Sequence, residues 1–184
     1  MRSIAADVAG SIQQAHKMWG WYLALGISLI IVGVYAIMNG MAATLASVIV
    51  LGVALLIAGI AQIFGAFISR GAGHVILFLL VGILDVIVGW MLLQHPGVGA
   101  LTLTLLLSVL LVFGGIFRFA AALWLQFPHY GWVAFSALVT FVLGVLLWAS
   151  WPFSGVWFIG FAVGVNFIFA GVTWSAMAWK LRTV

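Results

Sequence analysis

The sequence predicts an all-α membrane protein: six transmembrane helices, built as three repeated helical hairpins. Three observations lead there. The chain divides into six long apolar runs, only 4% of its 184 residues are charged, and a pattern of small residues recurs 56 positions apart. A soluble domain carries about 25% charged residues. Six Lys/Arg and two Asp/Glu among 184 residues cannot build a surface that faces water, so the outer surface meets a lipid bilayer.

The runs are Trp19–Met38, Ala42–Ile68, Val75–Leu93, Val98–Leu125, Trp132–Ala149 and Val156–Ala178. Each is long enough to cross a hydrocarbon core of about 30 Å. Backbone polar groups in lipid must be satisfied within the segment, which makes the runs helices. They lack the alternating polarity of barrel strands. Pro96, Pro128 and Pro152 all fall between runs, where they break no helix.

Residues 1–17 stand apart as a cytoplasmic segment, amphipathic or unordered, in which Ile4, Val8 and Ile12 form one stripe. The run after it is too long for the apolar region of a signal peptide, which is about 7–15 residues. Residues 18–184 then form one transmembrane domain, with repeats at about 19–68, 75–125 and 131–178.

Lys and Arg set the orientation. Arg2, Lys17, Arg70, Lys180 and Arg182 lie at the N-terminus, the second connection or the C-terminus, while the first, third and fifth connections carry none. The positive-inside rule places both termini in the cytoplasm. The net charge of +4 is scattered at the ends of spans and forms no basic patch, which argues against nucleic acid as a partner.

Within the repeat, Gly26 and Gly33 return as Gly82 and Gly89, and Gly59 returns as Gly115 and Gly171. Gln62 maps to Arg118 and then to Trp174. Each unit contains two spans, so all three units point the same way, unlike the inverted repeats of many secondary transporters. Gly26/Gly33, Gly52/Gly59 and Gly82/Gly89 are each seven residues apart, and Gly160, Gly164, Gly171 and Ser175 form a similar stripe. Small residues let helix backbones approach closely. The stripes read either as packing within the chain or as faces for a homo-oligomer.

Several of these segments together resemble a known family. They are GISLIIVGVYAIMNGMAATLASVIVLGVALLIAGIAQIFGAF in the first repeat, GILDVIVGW with HPGVGALTLTLLL in the second, and GGIFRFAAAL after it. The chain resembles the HdeD family of bacterial membrane proteins over almost all of Trp19–Ala178. The third repeat departs from the pattern, with Thr140 near the place of Asp85 and Trp174 where Arg118 would fall. The resemblance implies a multi-pass protein of the bacterial inner membrane with a role in acid or envelope stress. It supplies no catalytic or binding residue to carry over.

Candidate chemistry is sparse. Asp85 lies near the middle of the third span and Arg118 in the inner half of the fourth. Ionisable groups inside a bilayer are costly and point to function by default. The sequence reading pairs the two across antiparallel neighbours, either as a proton-linked switch or as a structural ion pair. Gln62 and Asn166, two further mid-span polar residues of note, are expected to form interhelical hydrogen bonds.

His16, His74 and His129 each precede the first span of a repeat on the cytoplasmic side, and His95 stands alone on the outer face. As a group they suggest pH sensing or metal binding, or simply His at loop ends.

Enzyme chemistry is hard to assemble. There is no Cys and no Glu, and Asp85 is about 16 Å along its helix from His74, too far for a triad. No cofactor is expected. The resulting expectation is a non-enzymatic membrane protein of the HdeD type. Two alternatives are a small channel or transporter for protons or a small solute, and an oligomerising membrane scaffold.

Overall fold

The computed structural model describes residues 19–68, 72–125 and 130–182. These form six helices: α1 Trp19–Met38, α2 Gly40–Ile68, α3 Ala72–Gln94, α4 Pro96–Leu125, α5 Tyr130–Ala149 and α6 Phe153–Arg182. Each apolar run becomes one helix, extended by about a turn at most. The N-terminal segment 1–17 lies outside the described residues.

All six helices are long and apolar enough to cross a membrane, and only 17–22% of each span is buried within the protein. The remainder presents large apolar side chains outward, including Trp124 at 90% exposure and Phe67 at 79%. A surface of this kind is stable only in lipid, and the chain is a multi-pass integral membrane protein.

The turns follow local chemistry. Asn39 closes α1 through its backbone N–H and its side-chain amide, which both donate to the Tyr35 carbonyl at 3.0 and 3.2 Å. Pro96 opens α4 at the first helical position, where its missing N–H has no partner to lose. The Ser154 hydroxyl, 1% exposed, donates to the Leu147 carbonyl at 2.8 Å across the turn between α5 and α6.

The chain divides into two compact units. One comprises 40–159, that is α2 to α5 with the opening turns of α6. Here α2 packs along α3 and α4 along α5, with much smaller contacts from α4 to α2 and α3. Val48, Leu92 and Ala100 form a core with Leu55, Val88, Leu103 and Ile159 around it.

The α2–α3 pair is held by backbone against backbone. A methyl group added at Gly59 would sit 2.6 Å from the Gly82 carbonyl oxygen, and one at Gly82 would sit 2.9 Å from that of Gly59. Gly52 and Gly89 face each other in the same reciprocal way, at 3.1 and 2.7 Å. Approaches this close bring Cα–H groups onto carbonyls and maximise dispersion, the main attractions between helices in lipid.

In the α4–α5 pair the contact is glycine against a larger neighbour. Gly115 lies against the backbone and Cβ of Phe141, and Gly144 against Val112.

The other unit, 19–39 with 160–182, is the pair α1–α6. Gly33 meets the Gly164 carbonyl and Gly26 that of Gly171, again reciprocally. Tyr22 and Trp174 stack beside them with ring centroids 5.7 Å apart and planes 2° from parallel.

The sequence repeat and the packed pair are therefore out of phase. The predicted hairpin joins α3 to α4, yet those two touch slightly, whereas α3 packs closely on α2. Of the two readings of the glycine stripes, packing within the chain is the one seen at Gly26/Gly33, Gly52/Gly59, Gly82/Gly89 and Gly164/Gly171.

Candidate functional site

Asp85 sits two residues past the midpoint of α3, three residues after Gly82 and four before Gly89. That spacing turns it toward α2, the helix its glycines contact. On α2, Gln62 lies three residues past Gly59 and so faces α3. The Gln62 amide nitrogen donates to Asp85 Oδ2 at 2.7 Å. Both residues are half-buried. One amide thus holds the carboxylate within a membrane-spanning helix.

The expected ion pair with Arg118 is not formed. Arg118 is exposed on α4 and makes no contact with Asp85 among the described residues. The reason is helix pairing: α3 packs closely on α2, while α4 turns its glycine face toward α5. The repeat itself contains the signal that sequence reasoning missed. Gln62 and Arg118 occupy equivalent positions. If Gln62 meets α3 at Asp85, Arg118 belongs beside α5 near Thr140, whose hydroxyl bonds back to the Ser136 carbonyl at 2.9 Å.

Gln62 also lines a lateral groove of about 210 Å³ with His74, Leu77, Phe78 and Val81. His74 stands exposed in the first turn of α3, so the groove runs from the helix end toward the Gln62–Asp85 bond. A second groove, of about 120 Å³, is lined by Arg118, Ala121, Ala122, Tyr130 and Val133. Both are smaller than the roughly 300–1,000 Å³ of a usual small-molecule pocket. At the corresponding place in the α1–α6 pair, the position equivalent to Gln62 and Arg118 is Trp174, stacked on Tyr22.

The other candidates are dispersed. Asn166 is exposed on α6 and makes no interhelical hydrogen bond among the described residues, because Gly164 and Gly171 turn the opposite side of that helix toward α1. His95 is exposed between α3 and α4, away from the groove that carries His74. His16 and His129 lie outside the described residues. Among the described residues no three His, Asp or Glu side chains gather into a metal site.

Membrane-crossing helices locked in antiparallel pairs, with one amide-held carboxylate inside a span, define a polytopic membrane protein assembled from repeated helix units. Residues 24–94 and again 80–149 match the family described as a short repeat of unknown function (DUF308), and the chain belongs to that family. The second match begins at 80 where the first begins at 24, an offset of 56 residues that equals the glycine repeat. Each match contains one complete packed pair, α2–α3 or α4–α5. The family includes HdeD-type membrane proteins. No curated protein and no solved structure matches the chain significantly.

Proposed function

We propose that the chain is a non-enzymatic, HdeD-type protein of the bacterial inner membrane, with cytoplasmic termini, that acts in acid or envelope stress through proton uptake at Asp85. The observation that carries this reading is the 2.7 Å bond from Gln62 to Asp85 between α2 and α3. A hydrogen bond to an ionised group is roughly twice as strong as one between neutral groups. Protonation removes the charge from the span and weakens the grip between the two helices.

The helices packed on α3 supply no competing charge at this point. Among its described residues α2 has none, and the one charge on α4, Arg118, is exposed. The groove lined by His74 and Gln62 lies toward the end of α3 that the positive-inside rule assigns to the cytoplasm. The protein on this reading responds to acidification of the cell interior.

The test uses spin labels at Phe67→Cys and Ile76→Cys, both exposed positions, in a chain without native cysteine. Acidification is expected to change the α2–α3 distance distribution in the otherwise wild-type protein and to leave Asp85→Asn unchanged. A pH response that persists in Asp85→Asn overturns the reading. So does acid survival of cells carrying Asp85→Asn that equals wild type at matched membrane expression.

A further inference from the structure

We propose that the groove between α4 and α5 is a binding site for the headgroup phosphate of an anionic phospholipid, held by Arg118 with Tyr130 at its mouth. The proposal begins from a charge without a counter-charge. Arg118 is a permanent cation on a membrane-spanning helix, exposed at the protein surface. The chain contains two acidic residues, Asp7 and Asp85. Asp85 is engaged by Gln62 in the neighbouring helix pair, and Asp7 lies outside the described residues. No carboxylate among the described residues meets Arg118, and the low-dielectric surroundings make an uncompensated cation costly.

Depth and shape identify the occupant. Arg118 lies seven residues before the end of α4 at Leu125, about 10 Å along the axis. An Arg stem covers most of that by snorkelling toward the interface. The interface is where lipid phosphates reside, and the planar guanidinium matches a phosphate bidentately. Tyr130, the first residue of α5, brings a phenol to the same groove. The small side chains of Ala121 and Ala122 leave a floor on which an acyl chain can lie.

The groove offers a cation and a hydroxyl but no carboxylate for the ammonium of a zwitterionic lipid, which favours an anionic headgroup. Basic pockets between transmembrane helices bind such headgroups elsewhere. The equivalent positions confirm that the feature is local. Gln62 replaces the cation in the α2–α3 pair, and the Tyr22–Trp174 stack occupies that place in the α1–α6 pair.

The experiment is native mass spectrometry of the full chain released from nanodiscs containing equal phosphatidylglycerol and phosphatidylcholine. Wild type is expected to retain phosphatidylglycerol over phosphatidylcholine by about fivefold, the preference expected of one cation at an anionic surface. Arg118→Gln should bring the ratio to parity, Arg118→Lys should keep most of it, and Lys180→Gln should leave it unchanged. Thermal stability in pure phosphatidylcholine, equal for wild type and Arg118→Gln, separates loss of the site from loss of fold. If Arg118→Gln unfolds, the Arg118→Lys and Lys180→Gln ratios decide alone. Overturning results are an unchanged preference in Arg118→Gln, a preference that follows Lys180 instead, or displacement of phosphatidylglycerol by millimolar inorganic phosphate, which would make the site one for a free anion.

Discussion

Gln62 and Asp85, on separate helices and 23 residues apart, are joined by a single 2.7 Å hydrogen bond, while Arg118 stands away from both. The pair yields a double-mutant prediction. Polar pairs between membrane helices contribute about 0.6–2 kcal/mol. Gln62→Leu and Asp85→Leu should each lower thermal stability in detergent, and combining them should lose less than the sum because no polar group of the pair is then left unsatisfied. Asp85→Asn with Arg118→Gln should be additive. Coupling in the second cycle and none in the first would show that Asp85 meets Arg118 after all.

The neighbouring glycines 114 and 115 should behave in opposite ways. A methyl group at Gly115 would lie 2.7 Å from the Phe141 backbone nitrogen, whereas one at Gly114 meets nothing within 4 Å. Overpacking in a close contact costs about 1–3 kcal/mol. Gly115→Ala should therefore destabilise the protein by that order, and Gly114→Ala should be neutral. Denaturation of the two variants side by side in one detergent decides the matter, and equal melting behaviour would contradict the α4–α5 packing.

Thr104 is fully buried on α4, and its hydroxyl has no hydrogen-bond partner among the described residues. The equivalent position in the preceding repeat is Val48, buried to 1%. An unsatisfied buried hydroxyl costs about 1–3 kcal/mol. Thr104→Val, which keeps the shape and removes the hydroxyl, should raise stability by about 1 kcal/mol. A loss of stability would mean that the hydroxyl is satisfied in the native protein.

The inner–outer assignment rests on Lys and Arg and is open to direct labelling. Cysteines at Asn39, Gly97 and Ser150, all exposed at turns, should react with an impermeant thiol reagent from the periplasm. Cysteines at Gly73 and Gly131 should not. Ser154 is a poor reporter, since it is 1% exposed. The reverse labelling pattern would invert the topology.

The spans were legible from sequence because lipid imposes one rule on every segment: twenty apolar residues with no exposed backbone. The glycine stripes were legible as close-contact faces for the same reason. Their partners were not. A stripe seven residues apart marks the face of a helix and leaves open which neighbour it meets, so Asp85 was paired with Arg118 on the next helix in the chain. The repeat offset that maps Gln62 onto Arg118 would have corrected this, because equivalent residues face equivalent partners. Asn166 was misplaced on similar grounds: its helix has small residues on two sides, and sequence did not say which of them turns toward α1. The grooves beside His74 and Arg118 depend on side-chain volumes from two helices at once, which no single periodicity reveals.

Pairing of α1 with α6 sets a timetable for synthesis. Gly33 enters the membrane about 130 residues before Gly164, its partner, an interval on the order of 10 s at the roughly 5–20 residues/s of translation. Throughout that interval the glycine face of α1 is unpacked, while α2–α3 and α4–α5 close as their second members emerge. The α1–α6 pair is therefore the last of the three to close, after α2–α3 and α4–α5 are already in place.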